Sequence, residues 1–400
     1  MATAAQIHGH CDPRFTAVRE AFAANFAGRG EVGAAVCVYV EGKPVVDLWG
    51  GYADAARTRP WDQHTIVNVA STTKGMVALC THMLVERGLL DLDAPVARYW
   101  PEFAQADKAH IPVRWLLSHR AGLPAIRWSM PPQSLYDWRA FTAALEETTP
   151  WWEPGTRHGY HAMAFGYLVG EVIRRVSGRT VGQFLREEVT TPLGADFFLG
   201  VPAAEHARLA DIVPEPLRLG GGTTFWETIL REPQSMVARA FFNPWRTITS
   251  MNTRAWRAAE IPAANGHTTA RALARIYGAL AQGGTLDGVR LLHPATIDAA
   301  IVEQSSGPDA VLSCQTRFGL GFMLTKPEQT SACALGIPRV GPNARAFGHP
   351  GFGGSIGFAD PDVRLGFGYV TNFYRTGTRQ DPDLRRECLI KAAYASLGVR

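Results

Sequence analysis

The pattern of hydrophobic positions changes between residues 65 and 90, from that of a strand to that of a helix. The segment opens with β-branched residues, which favour strands, at Thr65, Ile66, Val67 and Val69. The apolar positions then follow helical spacing, at Met76, Val77, Leu79, Cys80, Met83 and Leu84. Ser71 lies at the junction, where it would be a good N-cap, and the helix after it is expected to be buried on most faces.

The remaining pattern places strands near both ends of the chain and mostly helices between them. Strand patterns cover residues 32–40, 44–49, 318–324, 345–349, 354–359 and 365–372. Helical patterns cover residues 13–28, 111–119, 136–147, 165–177, 181–189, 270–284 and 382–397. We therefore predict an antiparallel sheet in a domain of residues 1–95 and 260–400, a mostly helical domain at 96–259, and an active site between them.

Composition and charge exclude some classes of function for this protein. The chain has 400 residues, 46% of them hydrophobic, and a formal net charge of +4 without a run of Lys and Arg, so nucleic acid is not an expected partner. No apolar segment is long enough to cross a membrane, and the first residues lack the pattern of a signal peptide. Among the six cysteines, Cys37 and Cys80 lie in apolar surroundings, as free buried thiols do. A cytoplasmic location is expected, and a sheet edge or aromatic loops could mediate a homo-oligomer.

Ser71 and Lys74 have a spacing that suits covalent catalysis. They lie one helical turn apart and would project from the same side. A serine hydroxyl is a weak nucleophile until a base takes its proton, and a lysine can be that base if burial and a second positive group lower its pKa. On its own, Ser-x-x-Lys also describes a capped helix with an exposed lysine, so the catalytic interpretation needs partners elsewhere in the chain.

Motifs over nearly the whole chain supply such partners. They include Ser71-Thr-Thr-Lys74, Gly88-Leu-Leu-Asp-Leu-Asp-Ala-Pro95, Trp115-Leu-Leu-Ser-His-Arg-Ala-Gly-Leu-Pro124, Pro192-Leu-Gly194, Phe318-Gly-Leu-Gly-Phe322 and His349-Pro-Gly351. With these motifs in this order, the chain resembles serine β-lactamase-related hydrolases, specifically family VIII carboxylesterases. These are relatives of class C β-lactamases and penicillin-binding proteins. The resemblance implies a β-lactamase/transpeptidase-like α/β (α+β) fold, with an antiparallel sheet flanked by helices and a helical insertion domain.

The second motif of that family, Tyr-x-Asn, is Tyr160-His161-Ala162 in this chain. The resemblance makes Tyr160 the partner of Lys74. Either a tyrosinate or a hydrogen-bonded phenol at this position can shuttle the nucleophile's proton to the leaving group. The Asn that would meet a substrate amide is absent, which weakens the case for a lactamase.

The third motif, Lys-Thr-Gly, is His349-Pro350-Gly351 in this chain. Lactamases use that Lys and Thr to hold the substrate carboxylate. His349 can do so only when it is protonated, and Pro350 cannot do so at all, so neutral esters fit this change better. An ordinary strand residue is the alternative role for His349.

The resemblance also implies where an oxyanion would be stabilised. By family position, the backbone N–H groups of Ser71 and Phe352 form the oxyanion hole. Gly351 and Gly353 on either side of Phe352 would let the backbone approach the acyl group closely.

Two other patterns compete with this interpretation. Gly353-Gly-Ser355-Ile-Gly357 matches the G-x-S-x-G elbow of α/β-hydrolases, but that fold needs its histidine after the serine, and no histidine follows Ser355. His158 and His161 have i, i+3 spacing without a carboxylate ligand beside them. We therefore expect neither a metal nor a cofactor.

The expected function is that of a serine hydrolase that cleaves short-chain or aryl carboxylic esters through an acyl-enzyme. Aromatic residues of segments 125–155 and 220–245 are expected to line the acyl and alcohol pockets. Acyl transfer to a second alcohol or amine, and amide or β-lactam hydrolysis, are alternatives on the same site. A non-catalytic binding or assembly protein is an alternative of another class, but it would have no need of Ser71, Lys74 and Tyr160 together.

Overall fold

The computed structural model describes residues 5–216, 229–325, 340–375 and 383–399. The helices are α1 (Thr16–Gly28), α2 (Thr73–Glu86), α3 (Val113–Leu117), α4 (Trp138–Glu147), α5 (Ala164–Ser177), α6 (Val181–Leu185), α7 (Thr191–Leu193), α8 (Met236–Phe242), α9 (Arg254–Ala258), α10 (Ala270–Ala281), α11 (Pro294–Ala300) and α12 (Arg385–Ser396). The strands are β1 (Ile7–Cys11), β2 (Gly33–Val40), β3 (Lys43–Gly51), β4 (Val67–Asn68), β5 (Phe197–Phe198), β6 (Val213–Pro214), β7 (His267–Thr268), β8 (Thr285–Leu286), β9 (Val289–Arg290), β10 (Ser305–Pro308), β11 (Gln315–Phe318), β12 (Met323–Leu324), β13 (Phe347–Pro350), β14 (Ile356–Asp360), β15 (Leu365–Thr371) and β16 (Phe373–Tyr374).

A nine-stranded antiparallel sheet runs in the order β1-β3-β2-β15-β14-β13-β12-β11-β10. Its centre joins the two ends of the chain, because β2 pairs with β15 from Val40 opposite Leu365 to Ala34 opposite Thr371. The sheet and its flanking helices confirm the predicted fold class. The domain boundaries at residues 95 and 259 stay a prediction.

Strand β2 shows how the core is divided by the sheet. One set of alternate side chains (Ala34, Val36, Val38) packs with residues of the terminal helices α1 and α12. The other set (Ala35, Cys37, Tyr39) packs with residues of α2, α5 and α10. A strand buried on both faces carries apolar residues at every position. This explains why the sequence of β2 is a continuous hydrophobic run without alternation.

Three features of the structure differ from the sequence prediction. Strand Ile7–Cys11 forms one edge of the sheet, and Ser305–Pro308 forms the other. Neither segment was predicted, because each is short and contains a glycine, a residue type that is depleted in strands. Ser71 is not the N-cap: α2 begins at Thr73, its N-cap is Thr72, and no side chain caps the helix. Ser71 therefore lies in the turn before the helix.

The cysteines differ from one another in their bonding. Cys37 and Cys80 are buried free thiols, as predicted. Cys314 is disulfide-bonded, which the cysteine spacing did not indicate. Because disulfides are rare in the cytosol, the cytoplasmic location stays a prediction. Within the described ranges, none of the helices combines the length and the apolar character that crossing a membrane requires.

Candidate active site

The turn that leads into α2 brings Ser71 and Lys74 together. Lys74 Nζ lies 3.1 Å from Ser71 Oγ. The lysine is fully buried, and its Nζ also donates to the carbonyl oxygens of Ala162 at 2.8 Å and Ala263 at 2.9 Å. The amine therefore has three polar neighbours, of which only the serine belongs to the predicted motif.

The surroundings of Lys74 favour its neutral form. Burial lowers the pKa of Lys74 well below its ordinary value, and the positive charge of Arg246 lowers it further. Arg246 is thus the second positive group that the Ser-x-x-Lys chemistry called for. No pattern in the sequence marks this arginine, which follows Trp245 in a segment rich in aromatic residues.

Tyr160 lies beside this pair. The centroid of its ring is 4.8 Å from Lys74 Nζ, and the tyrosine lines a cleft together with Ser71. Its hydroxyl lies 3.5 Å from Nε2 of His349. Burial raises the pKa of the Tyr160 phenol. Of the two forms that the sequence left open, the site therefore favours the protonated phenol over the tyrosinate.

Asp309 fixes the backbone that carries Tyr160. Its Oδ1 accepts hydrogen bonds from the N–H of Tyr160 at 3.0 Å and from the N–H groups of Val311 and Leu312 at 2.8 Å. Asp309 is buried, so its carboxylate makes its hydrogen bonds to protein groups and not to solvent. The sequence analysis missed it, because the contact joins positions 149 residues apart and has no local pattern.

His161 and His119 hold the same loop from its other side. His161 Nδ1 donates to the carbonyl oxygen of Gly159 at 2.7 Å, and its Nε2 accepts from the N–H of Leu123 at 3.1 Å. His119 Nδ1 accepts from the N–H of His161 at 3.1 Å. Burial lowers the pKa of His161 to about 3. Both ring nitrogens of His161 are therefore occupied, and the residue acts as a neutral hydrogen-bonding group.

Strand β13 presents His349 to the site. Its Nδ1 donates to the carbonyl oxygen of Pro350 at 2.7 Å, so its Nε2 carries the lone pair that faces Tyr160. Burial lowers the pKa of His349 to about 3, and the charge of Lys74 adds to this effect. His349 is therefore neutral at neutral pH and offers no cation to a substrate carboxylate.

Gly351 and Gly353 allow the chain to pass close to Ser71. A Cβ atom on Gly351 would lie 2.2 Å from the carbonyl oxygen of Val69, so a side chain would separate the two segments. Gly353 has a φ of +89°, which L-residues rarely adopt. Phe352 lies between the two glycines and lines the same cavities as Ser71. An oxyanion hole formed by the N–H groups of Ser71 and Phe352 stays a prediction.

Two clefts meet at Ser71, and both are also lined by Phe241 and Phe352. The first, the Arg246 cleft, encloses about 560 Å³ and is further lined by Ala70, Ala162, Met163, Phe242, Arg246, Thr247, Ile248, Met251 and Ala264. The second, the His349 cleft, encloses about 410 Å³ and is further lined by Tyr160, Leu312, Met323, His349, Pro350, Gly351 and Arg386.

The prediction about aromatic segments is correct for one of them. Phe241 and Phe242 of segment 220–245 line the clefts, whereas residues 217–228 lie outside the described residues. The prediction for 125–155 is wrong, because no residue of that segment lines either cleft. Its aromatic residues pack within the helical part instead, where Trp151 donates to the carbonyl oxygen of Ala125 at 2.7 Å.

Ser355, the serine of the rejected elbow, lies away from both clefts. It is fully buried, and its Oγ accepts a hydrogen bond from the N–H of Thr371 at 3.3 Å. A hydroxyl in this position has no access to a substrate. The geometry therefore agrees with the argument from residue order.

Comparison with known proteins identifies the family. Residues 18–389 match the protein family described as Beta-lactamase. The chain is 38% identical over 371 residues to the Esterase/beta-lactamase LipL of Mycobacterium tuberculosis, a match that covers 92% of this chain and 83% of that protein. Two solved structures are also similar to this chain. One is a family VIII carboxylesterase, with a TM-score of 0.87 and 44% identity, and the other is a penicillin-binding protein homologue from Caulobacter crescentus, with a TM-score of 0.85 and 43% identity. Each match covers 98% of this chain and 100% of the solved one. These matches confirm the predicted resemblance, and the chain belongs to the Beta-lactamase family.

Proposed function

We propose that this protein is a carboxylesterase in which Ser71 is the nucleophile and Lys74 its base. The observation that carries the proposal is the set of polar atoms around Lys74 Nζ: Ser71 Oγ at 3.1 Å and two backbone carbonyl oxygens. A neutral amine has two N–H donors and one lone pair. With the carbonyl groups of Ala162 and Ala263 accepting from the donors, the lone pair is left for the serine hydroxyl.

Acylation follows from this arrangement. Lys74 takes the hydroxyl proton of Ser71 while Oγ bonds to the ester carbonyl carbon, and the carbonyl oxygen becomes an oxyanion. The N–H groups of Ser71 and Phe352 stabilise that charge. The bond to the alcohol oxygen then breaks, the alcohol receives the phenol proton of Tyr160, and Lys74 returns its proton to the phenol.

Deacylation uses the same groups with water in place of the alcohol. Lys74 accepts a proton from water, relayed through the hydroxyl of Tyr160, as the water oxygen bonds to the acyl carbon. When the second tetrahedral intermediate breaks, Ser71 Oγ leaves and recovers its proton from Lys74. The acid is released and the three side chains return to their starting protonation states.

Ester substrates fit this site better than β-lactams. Neutral His349 and Pro350 stand where lactamases of the family hold the substrate carboxylate with Lys and Thr. The similar structure with 44% identity is that of a family VIII carboxylesterase, and the relative from Mycobacterium tuberculosis carries both activities in its name. The mostly apolar walls of the clefts suit short-chain or aryl groups.

Intact-mass spectrometry tests the proposal. After mixing with a fluorophosphonate or with p-nitrophenyl acetate, the wild-type protein should gain one covalent adduct, and Ser71→Ala should gain none. Ser355→Ala is the matched control and should be labelled like wild type, because Ser355 lines neither cleft. An adduct that persists in Ser71→Ala would refute the nucleophile assignment. Absence of both adduct and turnover in wild type would favour a non-catalytic binding protein.

A further inference from the structure

Arg246 is a cation inside the protein that has no carboxylate partner among the described residues. Its Nε and Nη1 are shielded from solvent and have no hydrogen-bond acceptor there. Its Nη2 lies 3.2 Å from the sulfur of Met163, which is a weak acceptor. The guanidinium lies 5.7 Å and 5.6 Å from the ring centroids of Phe242 and Trp256.

Arg385, a buried guanidinium, shows which kind of partner Arg246 lacks among the described residues. Arg385 is fully buried, and it pairs with Glu31 at 3.0 Å and with Asp383 at 2.9 Å. Buried charges are normally paired in this way, because an unpaired charge loses its hydration without replacement. Burial lowers the pKa of Arg246 to about 10, so the group is still charged at neutral pH. The described residues around Arg246 therefore supply no anion for it.

The position of Arg246 indicates where that anion would come from. Arg246 and Met163 line the same cleft as Ser71, and the other walls of this cleft are mostly apolar. Tyr160, the proposed proton donor to the leaving alcohol, lines the other cleft. The alcohol part of an ester would thus occupy the His349 cleft, and the acyl part would extend into the Arg246 cleft.

We infer that Arg246 binds a carboxylate at the far end of the acyl chain, so that the preferred substrates are half-esters of dicarboxylic acids. A guanidinium is suited to this role, because its planar set of N–H donors matches a carboxylate. The inference rests on the proposed esterase function and adds the substrate class.

Matched pairs of esters test the inference. We would compare kcat/KM for monoethyl succinate, glutarate and adipate with that for ethyl butyrate, valerate and hexanoate, in which a methyl group replaces the carboxylate. Wild type should prefer the anionic member of at least one pair. Arg246→Met should lower that preference roughly tenfold or more, the usual effect of losing a hydrogen bond to a charged group.

Two controls separate binding from other effects. Because the readout is a ratio of two substrates on one variant, any change that Arg246→Met causes in the base Lys74 cancels. Arg254→Met removes the same charge from an exposed position on α9 and should leave the ratio unchanged. Arg246→Met should also melt no lower than wild type, since it removes an unpaired buried charge. A lower melting temperature together with an unchanged substrate ratio would show that the arginine is structural.

Failure of the inference is distinguishable from failure of the esterase proposal. Hydrolysis of the neutral esters with no dependence of the ratio on Arg246 would overturn the inference alone. If no ester is hydrolysed, calorimetry on Ser71→Ala still decides it: monoethyl adipate should bind to Ser71→Ala more tightly than to the double variant Ser71→Ala/Arg246→Met. Equal affinities would overturn the inference.

Discussion

Lys74 and Lys108 are two buried lysines with the same immediate coordination. Both are fully buried. Lys108 Nζ donates to the carbonyl oxygens of Glu146 at 2.7 Å and Thr148 at 2.9 Å, as Lys74 Nζ does to two carbonyl oxygens at 2.8 Å and 2.9 Å. Each amine also lies over an aromatic ring, at 5.5 Å from the Phe103 centroid for Lys108 and at 4.8 Å from that of Tyr160 for Lys74.

The two lysines differ in their remaining neighbours. Beside Lys74 are the Ser71 hydroxyl and the positive charge of Arg246, which adds to the effect of burial on its pKa. Beside Lys108 is the negative charge of Glu146, which opposes the effect of burial, so that the pKa of Lys108 falls only to about 8. Burial and carbonyl acceptors therefore do not distinguish a base from a structural lysine. What distinguishes Lys74 as a base is the serine hydroxyl next to the lone pair of its amine, together with the nearby cation Arg246.

The largest expected effect is a loss of activity when Lys74 is replaced, with no such loss when Lys108 is replaced. Lys74→Met should lower kcat/KM for p-nitrophenyl acetate by about 10³-fold or more, because Ser71 loses its base. Lys108→Met should leave kcat/KM of the folded enzyme close to wild type. Similar losses in the two variants would mean that Lys74 acts through the fold and not through proton transfer.

A smaller loss of activity is expected when the hydroxyl of Tyr160, whose ring lies over Lys74, is removed. Tyr160→Phe keeps the aromatic face but removes the hydroxyl, so it should lower kcat by about 10²-fold, the lower range for a general acid. Phe103→Leu, which alters the ring beside Lys108, should leave kcat unchanged. If Tyr160→Phe lost no activity with a poor leaving group such as an alkyl alcohol, the proton would have to reach the alcohol by another route.

The third effect concerns stability. Lys108→Met leaves the carbonyl oxygens of Glu146 and Thr148 without their donor, so the free energy of unfolding should fall by about 2 kcal/mol, as for other buried polar groups that lose a partner. Lys43→Met, at an exposed position, should change it by less than about 0.5 kcal/mol. Urea denaturation would measure both, and equal values would show that the Lys108 contacts stabilise nothing.

The fourth effect is a dependence of stability on pH. Between about pH 8 and pH 10.5 the unfolded chain keeps a proton on Lys108 that the folded protein has released. The free energy of unfolding therefore gains a contribution that rises with pH over this window. The difference between wild type and Lys108→Met should grow as the pH is raised from 8. A difference that is flat or shrinks would place the pKa of Lys108 at its ordinary value.

The sequence predicted the parts of this site that depend on local spacing or on whole motifs. Ser71 and Lys74 follow from their separation of three residues at the start of a helical pattern. Tyr160 and His349 came from the family resemblance, since a lone Tyr or His has no pattern of its own. The neutral state of His349 could not be predicted, because it depends on burial beneath several distant segments.

Other parts of the site have no signal in the sequence. The two carbonyl acceptors of Lys74 belong to alanines 88 and 189 residues further along the chain. A backbone carbonyl is the same whatever the side chain, so composition cannot reveal it. Arg246 and Asp309 are ordinary residue types in segments without periodicity, and only the packing of distant segments gives them their neighbours.

The pairing of β2 with β15 has a consequence for synthesis of the protein. The partner of Val40 is Leu365, 365 − 40 = 325 residues later, so a ribosome adding about 5–20 residues per second takes roughly 16–65 s to supply it. During that interval β2 has an unpaired edge, and Lys74 lacks the acceptor from Ala263 until that residue is made. The nascent chain should therefore need protection from aggregation and should acquire activity only when its last strands emerge.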